Sequence, residues 1–543
     1  MWQPDILKSD EPQFWSMGRG VDVWNLFQAC IAGDLTAVRA LIGRDPSLVH
    51  SQYAYRTPLY FAVRENRIEV ADYLLLHGAD PLSLVVHDSL LVICRDRGYR
   101  ELETLLEKRL ATLQRASAKG EAVAEAIRNH DLETMKRLLD ADPALLHEGD
   151  QRSNQPIHWG TMTRQLDVID ELLSRGANIN AERADGARPL QLVNGDYHFR
   201  GWRDVPKDWP TTHQQVHAHL RTRGAEVDLC TACYLGDLEL AREFLNRDSS
   251  LANRPTKYVA YYLGSGSPLK NAAAGGHLEI VRLLLDHGAD PNLPEEGIAP
   301  EGQALYLAAA GGHHAVSRLL LEHGANPNPA VESSADALSR AISNGDEEMI
   351  DLLCSYGAAR ETELLAYDGD IRTAAAVFAA DPAKAEDPDA LAAAAAEGNE
   401  SFVRLMLRYV PDLPKRLVFP DWAVGASTPE LNQLLFQHGL NPSLRNWLEV
   451  TPLHHFARAG NTAMATLFLD QGADIHARDD DICSTPLGWA AKFGKQEMVE
   501  LLLRRGAVPN LPDDPAWATP LAWASRRGYP EIVEMLQRAG ATG

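Results

Sequence analysis

Three histidines and two cysteines stand at spacings that could support chemistry. His213, His217 and His219 lie in the run His-Gln-Gln-Val-His-Ala-His, where a helix would place the first two on one face and let them share a metal ion. No acidic third ligand follows at a suitable distance, so we expect no metal site. Cys230 and Cys233 have the spacing of a redox motif, but no strand–helix–strand pattern surrounds them, and we interpret both thiols as packed.

Recognised catalytic motifs are absent from the sequence. It contains no Gly-x-Ser-x-Gly elbow, phosphate loop, dinucleotide loop or His-Glu-x-x-His run, and we expect no cofactor. The 543 residues carry 45% hydrophobic and 23% charged side chains, which is typical of a folded chain. The net charge of −23 repels phosphate backbones and anionic lipids, so we expect neither a nucleic acid nor a membrane as partner. Six scattered cysteines, no visible export signal and no long apolar run predict a cytoplasmic location.

The elements that must position any site follow a repeat of about 33 residues. Glycines that end a helix recur 36 and 33 residues apart at Gly288, Gly324 and Gly357. Before each lies an apolar run with helical spacing, which predicts the second helix of a unit. A shorter first helix opens with Thr or Ser as a cap and Pro in the first turn, as at Thr451-Pro452-Leu453, and ends at a turn glycine such as Gly460.

These residues, Thr-Pro-Leu-His-x-x-Ala from Thr451 and Gly-Ala-Asp-x-Asn from Gly288, resemble the ankyrin repeat over roughly residues 23–541. Other units end in Asp-Pro-x-Leu, as at Asp45, and this mixture resembles the large ankyrin-repeat proteins of bacteria. The resemblance implies an all-α ankyrin-repeat solenoid of about 16 stacked helix-turn-helix repeats, some degenerate, with first helices lining a concave palm and loops projecting as fingers. The expected boundaries are an N-terminal extension or cap (1–22), N-terminal repeats (23–357), degenerate repeats (358–410) and C-terminal repeats (411–543).

Function is better sought where the chain departs from its own repeat. The largest departure is an insertion of about 17 residues, 195–211. Four of these residues are aromatic, whereas aromatic residues make up only 7% of the whole chain. Such a loop either packs on the stack or grips a ligand. Later fingers bring three tyrosines (258–262) and then carboxylates (295–301 and 332–336). Trp489 and Trp523 lie 34 residues apart at the same repeat position, which favours core packing.

A pocket is expected where these departures meet, with a floor of small residues, an aromatic wall and a carboxylate rim. The floor comprises Ala274, Gly275, Ala310 and Gly311, and we expect the insertion to fold over it as a lid. The candidate residues for binding a ligand or partner are His198, Arg200, Trp202, Arg203, Tyr258, Tyr261, Lys270, Glu295, Glu296, Glu301, Tyr306, Glu332 and Asp336.

Two classes of function remain open. The leading prediction is a monomeric binding scaffold that presents the groove centred on residues 185–357 to a protein or peptide, or to a small polar ligand, and the ankyrin resemblance carries it. The alternative is an acid/base hydrolase or lyase acting on carbohydrate or a small polar metabolite. In that case Glu295 or Glu296 would pair with Glu332 or Asp336.

Overall fold

The computed structural model describes residues 1–11, 13, 16–82, 88–113, 117–295, 298–299, 301–329, 331, 336–359, 361–418 and 428–542. The chain divides into two compact units. One comprises residues 9–359 and is called the 9–359 unit; the other comprises residues 1–8 and 360–543 and is called the 360–543 unit.

The helices of the 9–359 unit alternate between the first and second helices of successive repeats, except that the 3-10 helix Pro189–Leu192 takes the place of one first helix. They are α1 (Gly20–Ala32), α2 (Leu35–Arg44), α3 (Pro58–Arg64), α4 (Ile68–Leu76), α5 (Leu90–Arg97), α6 (Arg100–Leu113), α7 (Ala118–Arg128), α8 (Leu132–Ala141), α9 (Pro156–Met162), α10 (Leu166–Ser174), α11 (His213–Thr222), α12 (Leu229–Leu235), α13 (Leu238–Arg247), α14 (Pro268–Ala274), α15 (Leu278–Asp286), α16 (Ala304–Ala310), α17 (His314–Glu322), α18 (Ala337–Ser343) and α19 (Glu347–Ser355). Short 3-10 helices span Pro46–His50, Pro143–Leu146, Pro189–Leu192 and Ser249–Asn253.

The 360–543 unit continues this pattern, except that no described α-helix lies between the second helices Glu400–Tyr409 and Pro429–Gln437. Its helices are α20 (Thr362–Asp368), α21 (Ile371–Ala380), α22 (Pro388–Ala396), α23 (Glu400–Tyr409), α24 (Pro429–Gln437), α25 (Pro452–Ala459), α26 (Thr462–Asp470), α27 (Pro486–Lys492), α28 (Gln496–Arg504), α29 (Pro520–Arg527) and α30 (Pro530–Arg538). Its 3-10 helices span Pro382–Ala385 and Leu413–Arg416, and another at Asp5–Lys8 belongs to the same unit.

The caps predicted for the first helices are present. Thr57, Ser267 and Thr519 accept hydrogen bonds from backbone N–H groups in the first turns of α3, α14 and α29, and proline occupies the position that needs no donor. The turn glycines adopt the left-handed conformation, with φ of 66° at Gly276 and 77° at Gly460. Only a residue without Cβ takes this conformation freely, so each glycine lets the chain reverse into the second helix.

The predicted all-α fold is confirmed. The described residues contain no β-strand, only the isolated bridges Tyr53–Arg56, Gly195–Arg200 and Glu295–Ala299. First helices pack side by side, as α12, α14, α16 and α18 do, and second helices pack behind them. The core between the two layers is built of alanine, leucine and valine, and it includes the buried Cys233. Burial raises the pKa of both Cys230 and Cys233, as expected of packed thiols.

Two first-helix histidines join neighbouring repeats. The Nδ1 atom of His158 accepts a hydrogen bond from the Gln155 N–H at 3.0 Å, so Nε2 carries the proton and donates to the Ala181 carbonyl at 2.9 Å. His454 makes the same pair of bonds with Thr451 and Ser484. Both imidazoles are fully buried, and each fixes the finger of the following repeat against the first helix before it.

The expected open floor of the groove needs correction. The imidazole of His277 lies over Gly275 and that of His313 over Gly311, in the space that a side chain on either glycine would fill. The Nε2 atom of His313 lies 3.1 Å from the carbonyl oxygen of Ala274. These small residues therefore make room for a histidine of the same repeat, and they do not leave a hollow for a ligand.

Tryptophans of the 360–543 unit are core residues, as their spacing predicts. Trp489 and Trp523 are each 1% exposed. The Trp489 indole N–H donates to Asp479 at 2.9 Å, and that of Trp523 donates to the Ser484 hydroxyl at 2.8 Å. Each buried ring thus has a partner for its polar end.

Candidate functional site

The insertion, residues 195–211, begins as a small hairpin held by a buried ion pair. Gly195 and Arg200 form a β-bridge, and Asp196 accepts hydrogen bonds from the N–H groups of His198 and Phe199. Asp196 also meets Arg183 at 2.6 Å with both side chains buried. Although burial opposes the shift, the Arg183 guanidinium and these hydrogen bonds lower the pKa of Asp196. The hairpin is therefore fixed at its base.

Aromatic side chains of the insertion pack on the preceding repeats. Phe199 meets the ring of Trp159 on α9 edge to face, with centroids 5.4 Å apart. Trp209 lies against His130 with centroids 4.4 Å apart, and its indole N–H donates to the Arg164 carbonyl at 3.1 Å. His130 and Arg164 belong to the turns that follow α7 and α9, so the insertion extends over the ends of two first helices.

The insertion also meets the tyrosine finger. The Tyr197 hydroxyl accepts a hydrogen bond from the Tyr261 N–H at 3.3 Å, and the Tyr197 ring lies edge to face with Tyr262 at 5.4 Å. Asn194, just before the insertion, donates to the Leu263 carbonyl at 3.4 Å. The expected meeting of insertion and finger is therefore present, whereas the anchors of the insertion lie on earlier repeats than the floor assigned from the sequence.

Trp202 is the most exposed aromatic side chain of this anchored loop. It is 67% exposed, against 39% for Tyr197, while Phe199 and Trp209 are partly covered. The Arg200 guanidinium lies 5.9 Å from the centre of the Trp202 ring, and Arg203 forms an ion pair with Asp204 at 2.7 Å. An exposed tryptophan beside two arginines has the composition of a protein-binding hot spot.

His198 stands next to this surface among several arginines. The residue is exposed overall, although part of its ring is withdrawn from solvent. This burial, followed by the nearby Arg152 guanidinium, lowers the pKa of His198 to about 4, although the Asp196 carboxylate opposes the shift. The ring is therefore neutral at pH 7.

Lys270 and Glu295 lie inside the protein. Both side chains are 0% exposed, and Nζ of Lys270 is 3.5 Å from Oε2 of Glu295. The ammonium also donates to the Ala260 carbonyl, while the carboxylate accepts the Ser267 N–H at 2.8 Å and the Gln303 side-chain amide. The expectation that Lys270 and Glu295 face a ligand is wrong, because the pair is buried and joins two fingers beneath the surface.

The tyrosines assigned to the pocket wall are mostly covered. Tyr258 is buried under the Arg183 guanidinium, 5.3 Å from its ring centre, and burial raises its pKa. Tyr306 is buried as well, and its hydroxyl accepts a hydrogen bond from Nε of Arg340 at 2.7 Å. Tyr261 is half-buried, with its hydroxyl 3.3 Å from that of Tyr306. Of the three, Tyr261 is the one that keeps a partly exposed side chain.

The carboxylate rim is only partly described. Glu301 is exposed and accepts a hydrogen bond from the Asn326 amide at 2.6 Å. Asp336 caps α18 by accepting the N–H and hydroxyl of Ser339, each at 2.6 Å. Glu296 and Glu332 lie outside the described residues. The described carboxylates therefore have structural partners, which does not favour the acid–base pair of the enzyme alternative.

A polar cluster that the sequence analysis did not select lies under the insertion. Arg164 donates to the Gly201 carbonyl at 3.2 Å, and Asn194 lies 3.3 Å from the Tyr234 hydroxyl. His217 packs on Tyr234 with ring centroids 5.2 Å apart. Arg164 was the feature of the sequence that could have identified this cluster, because it occupies the turn position that glycine fills in most of the other repeats. His219, by contrast, pairs with Asp170 at 2.8 Å. Among the described residues, no group of three or more His, Cys, Asp or Glu is arranged to hold a metal ion.

Family models of ankyrin repeats match the chain at both ends and in the middle. The model for three copies matches residues 272–363, 421–513 and 471–542, and the model for many copies matches residues 26–75. The repeats detected in these segments are ankyrin repeats, in agreement with the helical stack. No helix in the described part of the chain is both long and apolar enough to cross a membrane.

Several curated proteins are similar over part of this chain. The palmitoyltransferase AKR1 of Lachancea kluyveri is 27% identical over 199 residues, which cover 32% of this chain and 24% of the relative. The human transient receptor potential cation channel subfamily A member 1 is 23% identical over 42% of this chain and 17% of its own length. The probable E3 ubiquitin-protein ligase XBOS32 of Oryza sativa is 29% identical over 32% of this chain and 39% of its own length. The chain thus spans well under half of each of these relatives.

Proposed function

We propose that this chain is a binding scaffold that presents the face of the 9–359 unit around the insertion to a protein or peptide partner. Ankyrin repeats generally mediate protein–protein interactions, and the matched segments belong to that class. The observation that carries the proposal is the exposed Trp202 on an insertion that is anchored at every other aromatic side chain.

The anchoring matters because a rigid hot spot loses little entropy when it binds. Asp196, Phe199 and Trp209 hold the insertion on the stack, so its conformation is set before a partner arrives. When a partner covers a large apolar ring that was exposed to water, the free energy of the system falls. Arg203, the next residue in the chain after Trp202, is half-exposed and could supply hydrogen bonds at the edge of this surface.

Binding is favoured over catalysis by the state of the carboxylates. Glu295 is saturated with hydrogen bonds and an ion pair, and Asp336 is engaged as a helix cap. A general acid or base must reach a substrate proton, which a fully buried Glu295 does not do. The monomeric state, the bacterial origin and the cytoplasmic location expected from the sequence stay predictions.

A peptide selection on the full chain tests the proposal. Peptides selected from a random display library would be measured against wild-type protein and Trp202→Ala by fluorescence anisotropy. We expect the substitution to weaken binding at least about tenfold, as for a hot-spot tryptophan, and to leave the melting temperature unchanged. Tyr367→Ala, which removes another exposed aromatic ring in the 360–543 unit, is the matched control and should bind normally. Equal affinities for wild type and Trp202→Ala would refute the proposed surface.

A further inference from the structure

Arg164 occupies a backbone position that disfavours it. Its φ is 57°, in the left-handed region, where most corresponding turns have glycine, as at Gly236 and Gly276, and two have Asn66 or His130. A side chain in this conformation costs free energy, and such costs concentrate at functional sites. This conformational cost points to a role for the Arg164 side chain.

The Arg164 guanidinium is partly buried without an acid beside it. Among the described residues it has no ion pair within 4.0 Å, and its side-chain hydrogen bond goes to the neutral carbonyl of Gly201. Its Nε atom is buried and has no hydrogen-bond partner. Burial lowers the pKa of Arg164. In a chain with 75 acidic residues, a half-buried cation without a carboxylate is unusual.

His217 contributes two more buried nitrogens that lack hydrogen-bond partners. The side chain is 2% exposed, and neither Nδ1 nor Nε2 has a hydrogen-bond partner. Buried polar atoms nearly always have partners, so an orphan imidazole indicates a missing one. Its neighbours are the Tyr234 ring at 5.2 Å and, one helical turn away on α11, His213.

Short contacts connect these groups beneath the insertion. Arg164 donates to the Gly201 carbonyl at 3.2 Å, and the Gly201 N–H donates to the Asn194 carbonyl at 3.2 Å. Asn194 borders the Tyr234 hydroxyl. Arg164, His213, Tyr234 and Asn194 are all half-buried, and His217 is the most buried residue of the group.

We propose that Arg164, His213, His217 and Tyr234 form a binding site for a tetrahedral oxyanion, either free phosphate or the phosphate group of a monoester. The guanidinium, the phenol and the imidazoles supply hydrogen-bond donors, which suits an anion with four oxygens better than a carboxylate with two. A metal ion does not fit, because the arginine would repel it. The site is independent of the partner surface at Trp202.

Titration of the full chain with inorganic phosphate, followed by calorimetry and thermal melting, tests this site. We expect saturable binding at millimolar or lower concentration, with a rise in melting temperature that acetate does not reproduce. Phosphoserine and a sugar phosphate distinguish a monoester ligand, which should bind more tightly than free phosphate, from free phosphate itself. Phosphate without a saturable effect, or an equal effect of acetate, would mean that water alone fills the place and would overturn the proposal.

Two test variants and one control variant separate phosphate binding from folding. Arg164→Asn keeps a residue that tolerates the left-handed turn and should weaken phosphate binding at least about tenfold. Arg223→Asn makes the same change at an arginine already paired with Asp170, and it should bind phosphate as wild type does. His217→Phe keeps the packing on Tyr234 and should melt no lower than wild type without phosphate, yet lose the phosphate-induced rise. Equal losses in Arg164→Asn and Arg223→Asn would contradict the site, and Trp202→Ala should leave phosphate binding intact.

Discussion

Removing the charge of Glu295 alone should destabilise the 9–359 unit by about 3–5 kcal/mol in free energy of unfolding, because it leaves a buried ammonium without its anion. The distance between Nζ of Lys270 and Oε2 of Glu295 is 3.5 Å, with both side chains 0% exposed. At an effective dielectric constant of about 20, the attraction between the two charges is about 5 kcal/mol. Desolvation of both ions offsets much of this gain in the native pair. Replacing Glu295 relieves the desolvation cost of the carboxylate but leaves that of the Lys270 ammonium without a compensating anion.

The assay is chemical denaturation of Glu295→Gln combined with hydrogen exchange of the Ser267 amide, which donates to Oε1 of Glu295 at 2.8 Å. The double variant Lys270→Met with Glu295→Gln removes both charges and should recover about 2 kcal/mol or more relative to Glu295→Gln. Glu243→Gln is the control, because it breaks the exposed pair of Glu243 with Arg247 and should cost under about 0.5 kcal/mol. The buried-pair reasoning would be refuted if Glu295→Gln were as stable as the control. It would also be refuted if the free-energy costs of Lys270→Met and Glu295→Gln, each measured alone, added up to the cost of the double variant.

Three further outcomes are expected. The pKa of His158 is lowered by burial from 6.5 to about 4, so its contribution to stability is complete above pH 6.5 and is lost as the pH falls to 4. The loss is about 3 kcal/mol, and unfolding free energies of His158→Gln across that window should show a flatter profile than wild type. Trp523→Ala should cost about 3–5 kcal/mol in a denaturant titration, because the ring is 1% exposed and lies 4.3 Å from the Lys492 ammonium; a cost under about 1 kcal/mol would contradict its role in the core. Residues 9–359, expressed without residues 360–543, should melt cooperatively by circular dichroism, since repeats are stabilised by their nearest neighbours; a disordered fragment would show stronger coupling.

Much of the fold could be predicted because its determinants are local. A Thr-Pro-Leu start caps a helix with atoms two or three residues away, and a glycine such as Gly276 reverses the chain through its own φ. The apolar spacing of α15 identifies its buried face without reference to any other repeat. The register of Trp489 and Trp523 likewise predicted two core rings at equivalent positions.

The candidate site could be predicted only in part, because repeat register places residues along the stack but does not determine what covers them. The aromatic content of the insertion marked it as unusual, and its meeting with the finger at Tyr261 is present. Register also placed Lys270 in the groove, but the finger residue Glu295 folds over it and both are removed from solvent. Such a contact joins residues of successive repeats, and no property of either residue alone specifies it.

The sequence by itself determined the helix pairs, their caps and their order, since each depends on a few consecutive residues. The tertiary structure alone decided that Trp202 stays in solvent while Trp209 is anchored, because the ends of α7 and α9 offer a surface to one ring and not to the other. It also decided that neither Arg164 nor His217 has a carboxylate partner among the described residues. Local patterns are short-range preferences of the backbone, whereas burial and pairing of side chains depend on which distant residues the stack brings into contact.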